Sequence, residues 1–227
     1  MFHGFPPETQ QFFSELKTNN DRVWFAENKW RYEQFVMEPA LEFVTEVQRR
    51  LGKIAPFFQA VPRRQGGSIM RIYRDVRFSK NKSPYKTNLG IHFRHELGKD
   101  AHAPGYYFHL EAGSAFMGCG IWHPESQPLN QIRALIDDDP QRWKRIKSAK
   151  KFKDTFRLDG RSLVRPPKGY SDDHPLIEDL KRKDHFVSAE LPDSDIRSSD
   201  LVDCVLERMK IGKPYIRFIC DALRIPS

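Results

Sequence analysis

From Pro6 to Asn20 the apolar residues Phe12, Phe13 and Leu16 fall on one helical face. Pro6 and Pro7 suit the start of that helix, and Asn19 and Asn20 its end. Asp21 is placed to cap a second helix carrying Trp24, Phe25 and Phe35. Pro39 begins or bends a third, whose stripe is Leu41, Val44, Val47 and Leu51 and whose stop is Gly52. The period then changes from near four to two. SIMRIY has strand composition, and in NLGIHFRH the residues Leu89, Ile91 and Phe93 point one way while His92 and Arg94 point the other. GYYFHLE and AFMGCGIW are two further strands, joined near Gly113. Segments near 68–73, 88–95, 105–111 and 115–122 therefore predict an antiparallel sheet of at least four strands.

Beyond Pro124 the pattern is helical again, in SQPLNQIRALIDDD and PQRWKRIKSAKKF. The stretch LDGRSLVRPPKGYSDDHP reads as loop, and Pro175 opens a helix through PLIEDLKRK. Two last helices are expected near 198–210 and 214–223, the second opened by Pro214. The helices flank the strands instead of alternating with them. This predicts an α+β fold, with N-terminal and C-terminal helices packed on the sheet, in a single domain spanning 1–227.

Composition adds little to the fold but narrows the setting. The 227 residues are 39% hydrophobic and 30% charged, the range of a soluble globular chain. No apolar run approaches the ~18 residues of a membrane span, so no membrane partner is expected. The start, MFHGFPPETQ, lacks the basic and apolar regions of a signal peptide. Three cysteines without a CxxC pair point to a reducing cytoplasm.

The formal net charge of +8 changes the picture more, because the excess is local. RIYRDVRFSKNKSPYKTN holds Arg71, Arg74, Arg77, Lys80, Lys82 and Lys86 against one acid, Asp75. If Ile72 and Leu89 lie on neighbouring strands, the connection is about 14 residues, near the length at which loops are often functional. Phe78 and Tyr85 are expected to pin it to the body while the cations project. Arginine forks grip phosphate or carboxylate oxygens in pairs, so the segment is expected to bind a small anionic ligand. Two other readings stand beside this one. A nucleic-acid-binding module fits the basic charge and the interleaved aromatics, although no nucleic-acid motif is present. An internal salt-bridge network would use Glu27, Glu33, Asp172 and Asp173 as partners.

RIYRDVRFSKNKSPYKTN, PGYYFHL and RPPKGYSDDHP, together with the early NNDRVWFAENKWRY and the late KP before the last helix, resemble the recurring segments of the domain-of-unknown-function 2461 family. The resemblance spans nearly the whole chain. It implies a single-domain protein and carries no catalytic residue across, because the family has no established activity. It does attach interest to Arg71, Arg74, Asp75, Arg77, Lys82, Pro84, Tyr85 and Lys86, which match its pattern.

The remaining chemistry is sparse. His92 and His95 are three apart on a strand and face opposite ways, and HxxxH is absent, so no metal is expected. No phosphate-cradling or nucleophile motif occurs, and no cofactor is expected. His109 lies mid-strand on the face of Tyr107 and joins the candidate ligand-binding residues. Gly118 and Gly120 leave one face of the next strand bare, open either to a ligand or to a ring from the adjacent strand. Whether His109 shares that face depends on the register across Gly113. Lys168, in the stiff RPPKGY stretch, is a candidate for a second wall of the anion site. The basic run RWKRIKSAKKFK reads as a solvated helix face.

Overall fold

The computed structural model describes residues 1–98 and 102–227. Helices α1 (Pro7–Thr18), α2 (Arg22–Tyr32) and α3 (Glu38–Leu51) come first. Asp21 accepts hydrogen bonds from the Val23 and Trp24 amides and so satisfies two of the first-turn donors of α2. A π-type turn, Glu33–Met37, joins α2 to α3. Pro39 follows it and has no N–H to offer the Phe35 carbonyl one turn back. The buried Thr9 hydroxyl donates to that carbonyl at 2.5 Å, which ties α1 to the bend.

The sheet is antiparallel, with β1 (Asn88–Arg94), β2 (Gly105–Glu111), β3 (Ser114–Ile121), β4 (Arg157–Asp159) and β5 (His185–Glu190) in the order β1-β2-β3-β5-β4. Between β3 and β4 run α4 (Ser126–Asp138), α5 (Pro140–Ser148) and α6 (Lys150–Thr155). Short helices α7 (Ile177–Leu180) and α8 (Asp193–Ile196) precede the long α9 (Leu201–Ala222). The architecture is α+β, as the strand and helix patterning predicts.

Three local expectations are corrected. Residues 68–73 are not a regular strand. They run beside β1 and the residues that lead into it through isolated bridges, Ile69 to Ile91 and Tyr73 to Tyr85, because the register shifts between the Met70–Gly90 and Lys86–Ile72 hydrogen bonds. The basic helix is split at Ala149, whose ψ of 126° ends α5 and caps α6. Pro214 lies inside α9 instead of opening a new helix. A mid-helix proline costs about 3 kcal/mol. Burying Met209, Tyr215, Ile216, Phe218 and Ile219 on one continuous face, at roughly 1.5–3 kcal/mol per large side chain, outweighs that.

Alternation divides the sheet into two unlike faces. Leu89, Ile91 and Phe93, with Tyr106, Phe108, Leu110, Met117, Cys119 and Val187, are all buried toward the helices. There Phe5 stacks on Phe108 at 5.7 Å and Phe43 meets the same ring at 5.0 Å. Helix α9 comes so close to β3 that a Cβ on Gly212 would lie 2.6 Å from Cys119 Sγ. The opposite face carries Gly90, His92, Gly105, Tyr107, His109, Phe116, Gly118 and Phe186.

Candidate ligand pocket and the basic segment

The register resolves the question left at Gly113. Tyr107 pairs with Gly118 and His109 with Phe116, so His109 stands on the same face as the bare glycines. The glycines are not left open, however, because rings from neighbouring strands lie across them. A Cβ at Gly90 would sit 2.6 Å from the Tyr107 hydroxyl oxygen. One at Gly105 would overlap the His92 imidazole, and one at Gly118 the Phe186 ring. Laying rings flat on a glycine floor lowers the sheet surface and leaves a pocket of about 320 Å³ above it. Met70, His92, His102, His109, Phe116 and Trp122 are among its walls.

His109 is held from three sides. Its ring stacks on Phe116 with centroids 4.7 Å apart. Its Nδ1 is 3.2 Å from the Tyr107 hydroxyl and 3.4 Å from the Asn88 amide nitrogen. Both of those groups can donate, so Nδ1 is the acceptor and the ring proton belongs on Nε2, which faces Glu111 at 3.5 Å. Burial pushes the His109 pKa down, against the pull of Glu111. Burial also pushes Tyr107 up to about 12. The pocket therefore presents a neutral imidazole and a neutral phenol among aromatic walls. Among the described residues no group of three His, Cys, Asp or Glu side chains is arranged to hold a metal ion.

The basic segment is more ordered than a solvated loop. The Arg74 amide donates to the Pro84 carbonyl and the Lys86 amide to that of Ile72, so the two arms run side by side. Asn20 clamps one arm: its side chain accepts from the Tyr85 amide and donates to the Tyr85 carbonyl, at 3.0 and 3.1 Å. The Tyr85 ring stacks on Phe25 with centroids 4.1 Å apart. Tyr85 is thus the pin that the sequence suggested. Phe78 is not, since it is 96% exposed at the tip.

Most of the cations work inside the segment. Arg77 grips Asp75 with two side-chain bonds, and these, with the Arg77 amide, hold the Asp75 carboxyl down to about 2. Lys82 donates to the Val76 carbonyl, and Arg74 to that of Ser83. Lys86 donates to the Arg71 carbonyl at 2.9 Å. Among the described residues none of these cations pairs with Glu27, Glu33, Asp172 or Asp173; Glu33 pairs with Arg64, and Asp172 with Lys181. Arg71 and Lys86 lie together and form no ion pair among the described residues, although the Arg71 charge is felt by the Asp75 carboxylate. Burial, and then the Arg71 charge, lower the Lys86 pKa.

Lys168 is not brought to this group. The basic segment lies beside β1 and α2, whereas Lys168 is exposed and leads into Tyr170, whose phenol senses Asp137 and Arg133 of α4. His109 does adjoin the segment's return, through Asn88. The pocket residues missed from sequence are His92, Tyr107, Trp122 and Phe186. Their one signal was a glycine on each of β1, β2 and β3 in phase with the outward positions, at Gly90, Gly105 and Gly118.

An antiparallel sheet with one face closed by helices and the other paved with rings defines the general class of protein. The chain belongs to the family described as Conserved hypothetical protein (DUF2461), whose model matches residues 8–218. No curated protein and no solved structure matches the chain. Among the described residues no helix is long and apolar enough to cross a membrane.

Proposed function

We propose that the protein binds a small, planar, largely apolar molecule in the pocket on the open face of the sheet. The observation that carries this reading is the pocket itself, about 320 Å³ and walled by stacked aromatic and imidazole rings. Its size is that of a small-ligand site, and its few polar groups suit orienting a ligand more than gripping a charge. His109 Nε2 and the Tyr107 hydroxyl supply neutral hydrogen-bonding groups. The free thiols of Cys119, Cys204 and Cys220 accord with a reducing, cytoplasmic setting.

8-Anilinonaphthalene-1-sulfonate, followed by its fluorescence, tests this. Saturable binding at a single site is expected, abolished by Met70→Trp, which fills the pocket from its edge. Non-saturating fluorescence, or a folded Met70→Trp protein that binds as before, rules the reading out.

A second reading rests on the meeting of Arg71 and Lys86. The Arg71 charge lowers the Lys86 pKa, so the two cations repel, and an anion bound between them relieves that repulsion. Malonate as a small dicarboxylate should then raise the melting temperature of the wild-type chain but not of Arg71→Gln. An equal rise in both proteins counts against this site.

A further inference from the structure

Beyond the pocket, at the end of β3, His123 adopts a left-handed conformation with φ of 50°, which is uncommon for a residue with a side chain. The reason is Asp184. Its carboxylate is fully buried, and Oδ1 accepts from both the His123 amide at 2.8 Å and the His123 ring Nδ1 at 2.7 Å. Its Oδ2 accepts from the Arg161 amide at 2.9 Å. Burial works against this carboxylate, but the donors outweigh it and hold its pKa below the usual range. The ion is therefore used up by its donors, and the Nδ1 proton is fixed on the Asp184 side. That leaves Nε2 as the ring's working nitrogen, on a side chain 37% exposed.

The ring looks into a shallow cleft of about 270 Å³. Arg133, Arg161 and Lys183 line the same cleft. The Arg161 guanidinium lies along the imidazole, its Nη2 3.2 and 3.3 Å from the two ring nitrogens. Arg133 is 6% exposed and spends its donors on the Leu180 and Arg182 carbonyls and the Asn130 side chain. None of the three cations has a carboxylate partner among the described residues. A buried guanidinium without a paired counter-ion is costly, and with two further cations beside it the three positive charges exceed the single negative charge of Asp184 behind the ring. A single carboxylate would answer only part of that charge, whereas a phosphate dianion with several acceptor oxygens matches it.

We propose that this cleft is a binding site for a phosphate group of the kind carried by a phosphate monoester, contacted by His123 Nε2, Arg161 and Lys183. Asp184 is a positioning residue that fixes the imidazole tautomer. His123 Nε2 accepts the proton of a hydrogen phosphate or, when itself protonated, donates to a phosphate oxygen. The site goes beyond the planar-ligand reading and does not depend on it.

The test titrates the full chain with inorganic phosphate at constant ionic strength and follows the His123 imidazole signals by NMR. A saturable shift is expected, with Kd no weaker than about 1 mM. Arg161→Gln and Lys183→Gln, both at exposed positions and checked for unchanged melting, should each weaken binding about tenfold or more. Lys53→Gln, an exposed cation just after α3 and outside both proposed sites, should leave it unchanged. No saturable shift, or a shift that survives both cleft substitutions, overturns the proposal and leaves the aromatic pocket untouched.

Discussion

The ring of His109 lies nearly parallel to that of Phe116, at 10° and 4.7 Å, directly across the hairpin between β2 and β3. Stacking on that wall keeps the imidazole edge, and not its face, turned to the Tyr107 hydroxyl. Phe116→Leu should keep the fold and loosen His109. The expected result is a fall in anilinonaphthalene sulfonate affinity of about tenfold, corresponding to ~1.4 kcal/mol, read from fluorescence titration. An unchanged affinity would remove the stack from the site.

Acidification should destabilise the protein through His185. This imidazole is fully buried, makes no hydrogen bond to the described residues, and is pushed by burial down to about 3. The unfolded chain takes up its proton near pH 6.5, well before the folded one does. The stability associated with neutral His185 is therefore complete above about pH 6.5 and drains away as the pH falls. By pH 5 the loss is about 2 kcal/mol. His185→Leu should flatten this part of the pH profile in urea denaturation; an unaltered slope would refute the assignment.

Two glycines with positive φ should respond unlike each other. Gly113, at φ 77°, has open space where a Cβ would go, so Gly113→Ala costs only the left-handed backbone, about 1 kcal/mol. Gly120, at φ 129°, would drive its Cβ into the His185 carbonyl. Gly120→Ala should cost about 3 kcal/mol or more, measured as the shift in denaturation free energy.

Lys86 should titrate upward when its neighbour is removed. Burial and the Arg71 charge both lower its pKa, and Arg71→Ala takes away the second. The Lys86 Nζ signal, followed by NMR through alkaline pH, should show the rise. No movement would mean that the two cations do not meet.

Asn20 holds Tyr85 by two hydrogen bonds across 65 residues of chain. Asn20→Ala should cost about 1–2 kcal/mol and speed amide exchange through both arms of the basic segment. Exchange that quickens elsewhere and not in these arms would contradict the clamp.

The fold was legible where periodicity was long. The N-terminal helices, the Asp21 cap and the three-stranded meander followed from spacing alone. β4 and β5 were not legible, because Arg157–Asp159 is three exposed residues and β5 is buried from His185 to Ala189 without alternation, only Glu190 being exposed. Pro214 misled because a local penalty was read without the burial on either side. In the basic segment composition gave the charge but not its use, since backbone carbonyls that accept from Lys82, Lys86 and Arg74 leave no trace in sequence. The pairing of His123 with Asp184 spans 61 residues and no motif announces it.

The glycine floor of the pocket also bears on how such a chain can change over time. Tyr107 fills the place of a side chain at Gly90, His92 at Gly105 and Phe186 at Gly118. Neither member of any such couple is free to vary alone, since a larger residue at the glycine evicts the ring and a smaller residue at the ring strips the glycine of cover. Drift on this face must therefore proceed by paired replacement. Among relatives these three couples should appear as correlated columns, while the exposed Phe78 tip varies independently.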